Sequence, residues 1–365
     1  LHQIISFNGK YSMNSYDTLR ELIGIDSPSG YTENATDYIV RVLQSYGWSP
    51  ERTHKGAVRV ALGKNPVLSI AAHTDTLGAM VSGVNGNGTL QFTLLGGPLL
   101  PTFEGSYVRI YTLGNTVVTG TVLLNNPSAH TNRSAGSTER STSTMHIRID
   151  EEVHNADDVK KLGIGVGDII CFDTRYQELP NGFIKSHFLD NKAGCYVLFE
   201  IARRIAAEKR SVPVELFFST YEEVGHGGSG GFAPTVQDLL VLDMGVVGDH
   251  CSGDEYSCSI CAKDSSGPYD YGFRKELTLL AQDKEIPHKV DVYPFYSSDG
   301  SLALRAGHDY RVALIGPGVH ASHGIERTHK KAVEATIDLC LAYIDKHYPM
   351  KSIAKKTVVK KKKKK

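Results

Sequence analysis

No segment of this 365-residue chain approaches the roughly eighteen uninterrupted apolar residues of a transmembrane helix, so a membrane span is not expected. Cysteine is sparse: six residues in a chain of this length do not build a disulfide scaffold, and a reducing cytoplasm is the expected home. Cys258 and Cys261 form a CxxC pair with only Cys251 nearby, too few thiolates for a four-ligand structural zinc site, and are read as free thiols. The first residues show no charged stretch followed by an apolar core, so no secretion signal is expected. No internal repeat is apparent.

Net charge is also lacking, with 40 basic against 40 acidic residues, but the balance is uneven along the chain. Residues 351–365 carry nine Lys and no acid, which leaves 31 bases against 40 acids, or −9, for the rest. The lysine run repels itself and is expected to be disordered. An acidic body with one Trp and no basic stripe argues against nucleic acid as the substrate.

What is present is an alternation of helix and strand patterns. Ala35, Tyr38, Ile39, Val42, Leu43 and Tyr46 recur at helical spacing, with Thr32 placed to cap the start and Gly47 the end. Val67 to Ala72 is a short apolar, partly β-branched run of the kind buried on both faces of a sheet, and it delivers His73 and Asp75 at its end. Between about Gly78 and Lys185 the texture turns to short β segments separated by Gly, Asn and Asp, with a polar stretch from Thr131 to Thr144 expected as a mobile loop.

From Asp190 the α/β pattern returns: a helix from Lys192 to Glu208, strands at 214–220 and 239–244, a helix near Phe273 to Lys284, a strand-like YRVALIG segment, and a closing helix from Thr328 to His347. The whole reads as an α/β domain interrupted by a β-rich insertion.

The residues able to do chemistry gather where strands end. His73 and Asp75 follow one strand, Glu222 and Glu223 another, and Asp243 a third, while Asp190 opens a helix and His323 follows a strand by a short loop. Parallel sheets bind ligands beyond the carboxyl ends of their strands. Two divalent cations would need oxygen and imidazole ligands, a carboxylate able to bridge, and room for water. Three carboxylates, those of Asp190, Glu223 and Asp243, would set −3 against +4, and a bridging hydroxide would balance the rest. Adjacent glutamates in extended chain point to opposite sides, so one can ligate while the other faces the water.

The segments AAHTDTLGAMV (Ala71 to Val81), FLDNKAGCYVL (Phe188 to Leu198), TYEEVGHGG (Thr220 to Gly228), LDMG (Leu242 to Gly245) and ASHGIE (Ala321 to Glu326) resemble, in order and spacing, the motifs of metallopeptidase family 42. That family comprises glutamyl, deblocking and tetrahedral aminopeptidases, and the resemblance runs from about Tyr16 to Tyr348.

It implies a phosphorylase/hydrolase-like α/β zinc-peptidase domain at 1–77 and 186–350 and a PDZ-like β insertion at 78–185, beyond which lies the lysine tail at 351–365. It implies His73, Asp190 and Asp243 on one metal and Asp190, Glu223 and His323 on the other. Glu222 would be the general base, and Asp75 would orient His73 through its far ring N–H. Two zinc ions, replaceable by cobalt or manganese, peptides with free N-termini, and a homo-oligomer between dimer and dodecamer are further implications.

The ASHGIE segment departs from the usual H-S-P region and brings Glu326 within three residues of His323, with His320 and His329 as competing imidazoles. His226 is expected in a glycine-rich loop, and Asp299 is a candidate beside the substrate site or a simple helix cap. The sequence assigns no role to the polar stretch Lys263 to Phe273. A metal-dependent deacylase or amidohydrolase acting on non-peptide amides, or a peptide-binding scaffold, are the competing functions.

Overall fold

The computed structural model describes residues 16–349, so the lysine-rich tail lies outside the described residues. Its centre is a sheet in which the strands Val214–Ser219, Leu68–His73, Asp238–Leu242 and Arg311–His320 run parallel as neighbours in that order. Register aligns their ends: Ser219 pairs with His73, Val241 with Ala71, and Leu242 with Ile315. The catalytic candidates therefore leave the sheet along one edge.

Side chains alternate across this sheet with the period of two that strands impose. Ile70, Ala72, Leu216, Phe218, Leu240, Leu242 and Ile315 join the larger core, whose other wall is formed by the helices Asp17–Ile23, Glu33–Ser45, Leu189–Ala207, Tyr271–Asp283 and Lys330–His347. Ala71, Phe217, Leu239, Val241 and Leu314 face the opposite core, with Phe232 and Ala303. Cys258 and Cys261 sit on one strand but fall into different cores, so they cannot share a metal. All six cysteines are free thiols.

The insertion is a closed barrel of six strands, Gly78–Val84, Leu90–Leu95, Met145–Ile149, Val117–Leu124, Tyr107–Tyr111 and Ile169–Phe172 in order around the wall, with its own core around Phe92, Ile110, Val122 and Ile147. A bidentate pair from Arg109 to Asp26 at 2.6 Å, joined by the Tyr111 hydroxyl at 2.7 Å, ties the barrel to the segment after the first helix. The stretch from Thr131 to Thr144 holds neither helix nor strand; it is a chain of tight turns, anchored to Glu104 by Arg140 at 2.8 Å.

Several expected boundaries shift. Thr32 occupies the N-cap position of its helix, but its side chain makes no capping bond, while Gly47 ends the segment at φ +90° as a glycine can. The helix expected at Lys192 begins at Leu189, with Asp190 and Asn191 non-helical and a cis peptide bond between them. The closing helix starts at Lys330 rather than Thr328, because Glu326–His329 forms a strand paired antiparallel with Phe183–Ser186. No described helix is long and apolar enough to cross a membrane.

Candidate metal centre

His73 ends its strand almost fully buried, at 2% exposure. Its Nδ1 donates to the backbone carbonyl of Asp75 at 2.9 Å, which leaves Nε2 facing Asp190 Oδ1 at 3.0 Å. A carbonyl can only accept, so the proton belongs on Nδ1 and the Nε2 lone pair is the one available for a cation. Burial alone would lower the His73 pKa, but the bond to Asp190 and the charges of Glu222 and Asp243 carry it well above the ordinary value, and the same negative surroundings favour a cation in place of a proton at Nε2.

Asp75 departs from the expected role. Its carboxylate stands 3.7 Å from the His73 ring and instead accepts from the backbone N–H of Glu222 at 3.1 Å and of Glu223 at 3.2 Å, and from Ser29 Oγ at 2.5 Å. Its fully buried carboxylate thus fixes the two glutamates, while its carbonyl sets the tautomer of His73. The glutamates themselves lie in a turn, not in extended chain: Tyr221 before them has φ +68°, and Gly225 N–H returns to the Glu222 carbonyl at 2.8 Å. They still diverge. Glu222 Oε2 comes within 3.9 Å of His73 Nε2, and Glu223 Oε2 within 3.8 Å of His323 Nε2.

His323 is the histidine that reaches the cluster. His320 ends its strand exposed, and His329 caps the last helix by accepting from Lys331 N–H at 3.0 Å. His323 takes φ +63°, gives Nδ1 to the Gly97 carbonyl at 2.9 Å, and turns Nε2 to within 3.8 Å of Asp190 Oδ2. A residue of the segment that follows a barrel strand, Gly97, therefore grips one imidazole of the cluster. Leu99 N–H adds a bond to the His323 carbonyl at 3.0 Å.

Sequence reasoning assigned Glu326 no role, yet it joins two loops of the site. Its buried carboxylate accepts from Asp190 N–H at 2.9 Å and from His323 N–H at 3.1 Å. The available signal was the spacing, an acid three residues after a candidate ligand. Asp299 is also buried here; Ser219 Oγ donates to its Oδ2, its Oδ1 has no partner, and burial pushes its pKa up to about 6. A Cβ on Gly227 would stand 2.4 Å from Asp299 Oδ1, so the glycine loop is needed for this approach. His226 stacks on Tyr221 and stays outside the cluster. Lys192 of the DNK segment gives its Nζ to Ser27 Oγ at 2.6 Å.

Two triads result, His73 with Asp190 and Asp243, and Asp190 with Glu223 and His323, each with potential ligand atoms within 4.8 Å of one another. They share Asp190. Burial, reinforced by neighbouring carboxylates, raises the carboxyls of Glu222, Glu223 and Asp243 well above their ordinary values. Among the described residues no Lys or Arg lines the cleft of about 530 Å³ around them, and Glu223 Oε1 is buried with no hydrogen-bond partner. An unpartnered buried carboxylate oxygen in a carboxylate-imidazole cluster fits a divalent cation. A larger groove of about 890 Å³ between the helices Tyr271–Asp283 and Lys330–His347 contains no such cluster.

The sequence pattern of the M42 glutamyl aminopeptidases matches residues 56–339. YhfE of Bacillus subtilis, a putative aminopeptidase by name, is 41% identical over 333 residues, 90% of this chain and 96% of its own. The glutamyl aminopeptidase of Lactococcus lactis is 28% identical over 60% of this chain and 62% of its own. Among solved structures, the Pyrococcus horikoshii TET1 peptidase, which can assemble into a tetrahedron or a large octahedral shell, shares the fold with a TM-score of 0.80 at 20% identity, over 91% of this chain and 99% of its own.

Proposed function

This chain belongs to the M42 glutamyl aminopeptidase family and is a peptide-bond hydrolase, and from that premise we propose that it removes residues one at a time from the free N-termini of peptides, using two divalent metal ions. The observation that carries the metal reading is the pair of triads sharing Asp190 around an unpartnered Glu223 oxygen. His73, Asp190 and Asp243 would hold one ion, and Asp190, Glu223 and His323 the other. Zinc suits this nitrogen and oxygen set, and cobalt or manganese can replace it. When bound, such ions supply Lewis acidity that polarises the scissile carbonyl and makes water easier to deprotonate.

The remaining chemistry belongs to the chain. Glu222, outside both triads but within 3.9 Å of His73, takes a proton from the attacking water as its oxygen bonds to the carbonyl carbon. The same carboxyl returns that proton to the departing amine nitrogen when the C–N bond breaks. Asp75 holds the Glu222–Glu223 turn in place through the two backbone N–H groups, and Glu326 holds Asp190 and His323 relative to one another.

The proposal extends to a catalytic part at 1–77 and 186–350, a PDZ-like insertion at 78–185, a cytoplasmic setting and a homo-oligomer between dimer and dodecamer. Assembly of the Pyrococcus horikoshii TET1 peptidase supports the last of these. Incubating one peptide in free and N-acetylated forms tests the central claim. Stepwise loss of N-terminal residues from the free form alone is expected by mass spectrometry; internal cleavage, or equal rates on both forms, would contradict the aminopeptidase reading.

A further inference from the structure

We infer that the cleft selects peptides whose N-terminal side chain is neutral and apolar, and discriminates against both acidic and basic ones. This rests on the aminopeptidase reading and deepens it. Among the described residues, every carboxylate and imidazole lining the cleft, those of Asp190, Glu222, Glu223, Asp243 and His323, is already part of the proposed catalytic set. The remaining lining carries no charge of either sign.

That remaining wall is largely apolar. Met244, Val246 and Tyr296 form one part of it, and Leu99 and Phe295 are strongly exposed, Phe295 at 96%. Tyr296 has no free donor to offer a ligand, because its hydroxyl donates to the Met244 carbonyl at 2.9 Å while its ring packs on Tyr293 with centroids 5.1 Å apart. What it presents is an aromatic surface. Met244 beside it is flexible and polarisable, suited to side chains of several shapes.

A substrate glutamate placed here would meet four carboxylates and no lysine or arginine. Lys55, the cation tied to the glycine loop, is committed to the carbonyl oxygens of His226 and Gly227 and to Ser229 Oγ at 3.0 Å. Among the described residues that line the cleft, a substrate lysine would find no acid beyond those the metals and the proton transfer require, Asp299 being buried behind the glycine loop. Either charge would find no free opposite charge in this lining, only the hydroxyls of Ser297 and Ser322, whereas Leu, Met or Phe would bury apolar area against Met244, Val246 and the Tyr296 ring.

A panel of aminoacyl-7-amido-4-methylcoumarins, measured on the zinc- or cobalt-saturated full chain, isolates the N-terminal residue because the leaving group is constant. Leu, Met and Phe substrates are expected to exceed Glu, Asp, Lys and Arg substrates by about 100-fold or more in kcat/KM. Phe295→Arg at the exposed rim and Val246→Lys nearer the cluster should each raise the Glu-to-Leu ratio by about 10-fold, a ratio that does not depend on the amount of folded protein. A wild-type preference for Glu, Asp, Lys or Arg overturns the inference and leaves the aminopeptidase reading standing. Failure to cleave any free-amine substrate, with metal shown to be bound, overturns both.

Discussion

The two triads are built differently although they share a carboxylate. His73, Asp190 and Asp243 are all buried, and two of them stand at or just beyond the ends of neighbouring parallel strands, where backbone hydrogen bonding fixes their spacing. The second triad ends on His323, whose side chain is 42% exposed and which hangs on a loop held by the Gly97 carbonyl and the Glu326 carboxylate. Strand register positions one site and side-chain tethers the other. The sites should therefore differ in how firmly they keep a metal, a difference that substitution, acid and chelation can each expose.

The largest effect is expected between the triads rather than in either. Glu222→Gln should lower kcat by about 10³-fold, within the range for loss of a general acid–base, while elemental analysis still finds both metals. Loss of metal together with activity would move Glu222 into the ligand set.

Acid should unsettle the His323 side. His187 stacks on Phe103 of the barrel at 4.3 Å between ring centroids and donates from Nδ1 to the Gly324 carbonyl at 2.6 Å, while its Nε2 is buried without a partner. Burial lowers its pKa to about 4, so the folded protein resists the protonation that the unfolded chain undergoes near the ordinary value. Its stabilising contribution is complete above about pH 6.5 and is lost as the pH falls towards 4, a change on the order of 3 kcal/mol. Thermal melts of wild type and His187→Gln over this range should converge as the pH falls. Parallel curves would remove His187 as the cause.

Glu326→Ala should weaken metal affinity at the His323 position by about 10- to 100-fold, the usual loss when a group orienting a ligand is removed. Isothermal titration with zinc should resolve one weakened and one nearly unchanged site. Equal weakening of both would mean that Asp190, not His323, carries the effect. The smallest difference is in the wild type: graded chelation should remove metal in two steps a few-fold apart in chelator concentration, the more exposed position first. A single step would show that strand register and side-chain tethers hold their ions equally well.

Much of the first triad was legible in the sequence, because apolar runs such as Val67 to Ala72 announce buried strands, and a parallel sheet gathers the residues at their carboxyl ends along one edge. The helix periodicity at Ala35 to Tyr46 and the β texture of the insertion were legible for the same reason. The second triad was less so. His320, His323 and His329 are equivalent by local pattern, and the choice came from resemblance to a family.

Glu326 acquires its place from pairing with Ser186, a contact across 140 residues of chain that no local signal encodes. The expectation of extended glutamates failed for a related reason: the positive φ of Tyr221 and the bonds to Asp75 make a turn there, and both depend on a segment from another strand. The closure of the insertion into a barrel likewise depends on the pairing of Ala79 with Ile170.

The grip of Gly97 on His323 gives the barrel a mechanical role. Gly97 lies between the barrel strand Leu90–Leu95 and the 3₁₀ turn Leu100–Thr102, so its carbonyl moves with the barrel, while Asp190 and Glu223 move with the sheet. A force applied to the barrel, by a neighbouring subunit or by a tether, would be delivered as a displacement of one imidazole against two carboxylates. The barrel thus holds one imidazole of the candidate centre from outside the sheet, through the Gly97 carbonyl and the Leu99 N–H.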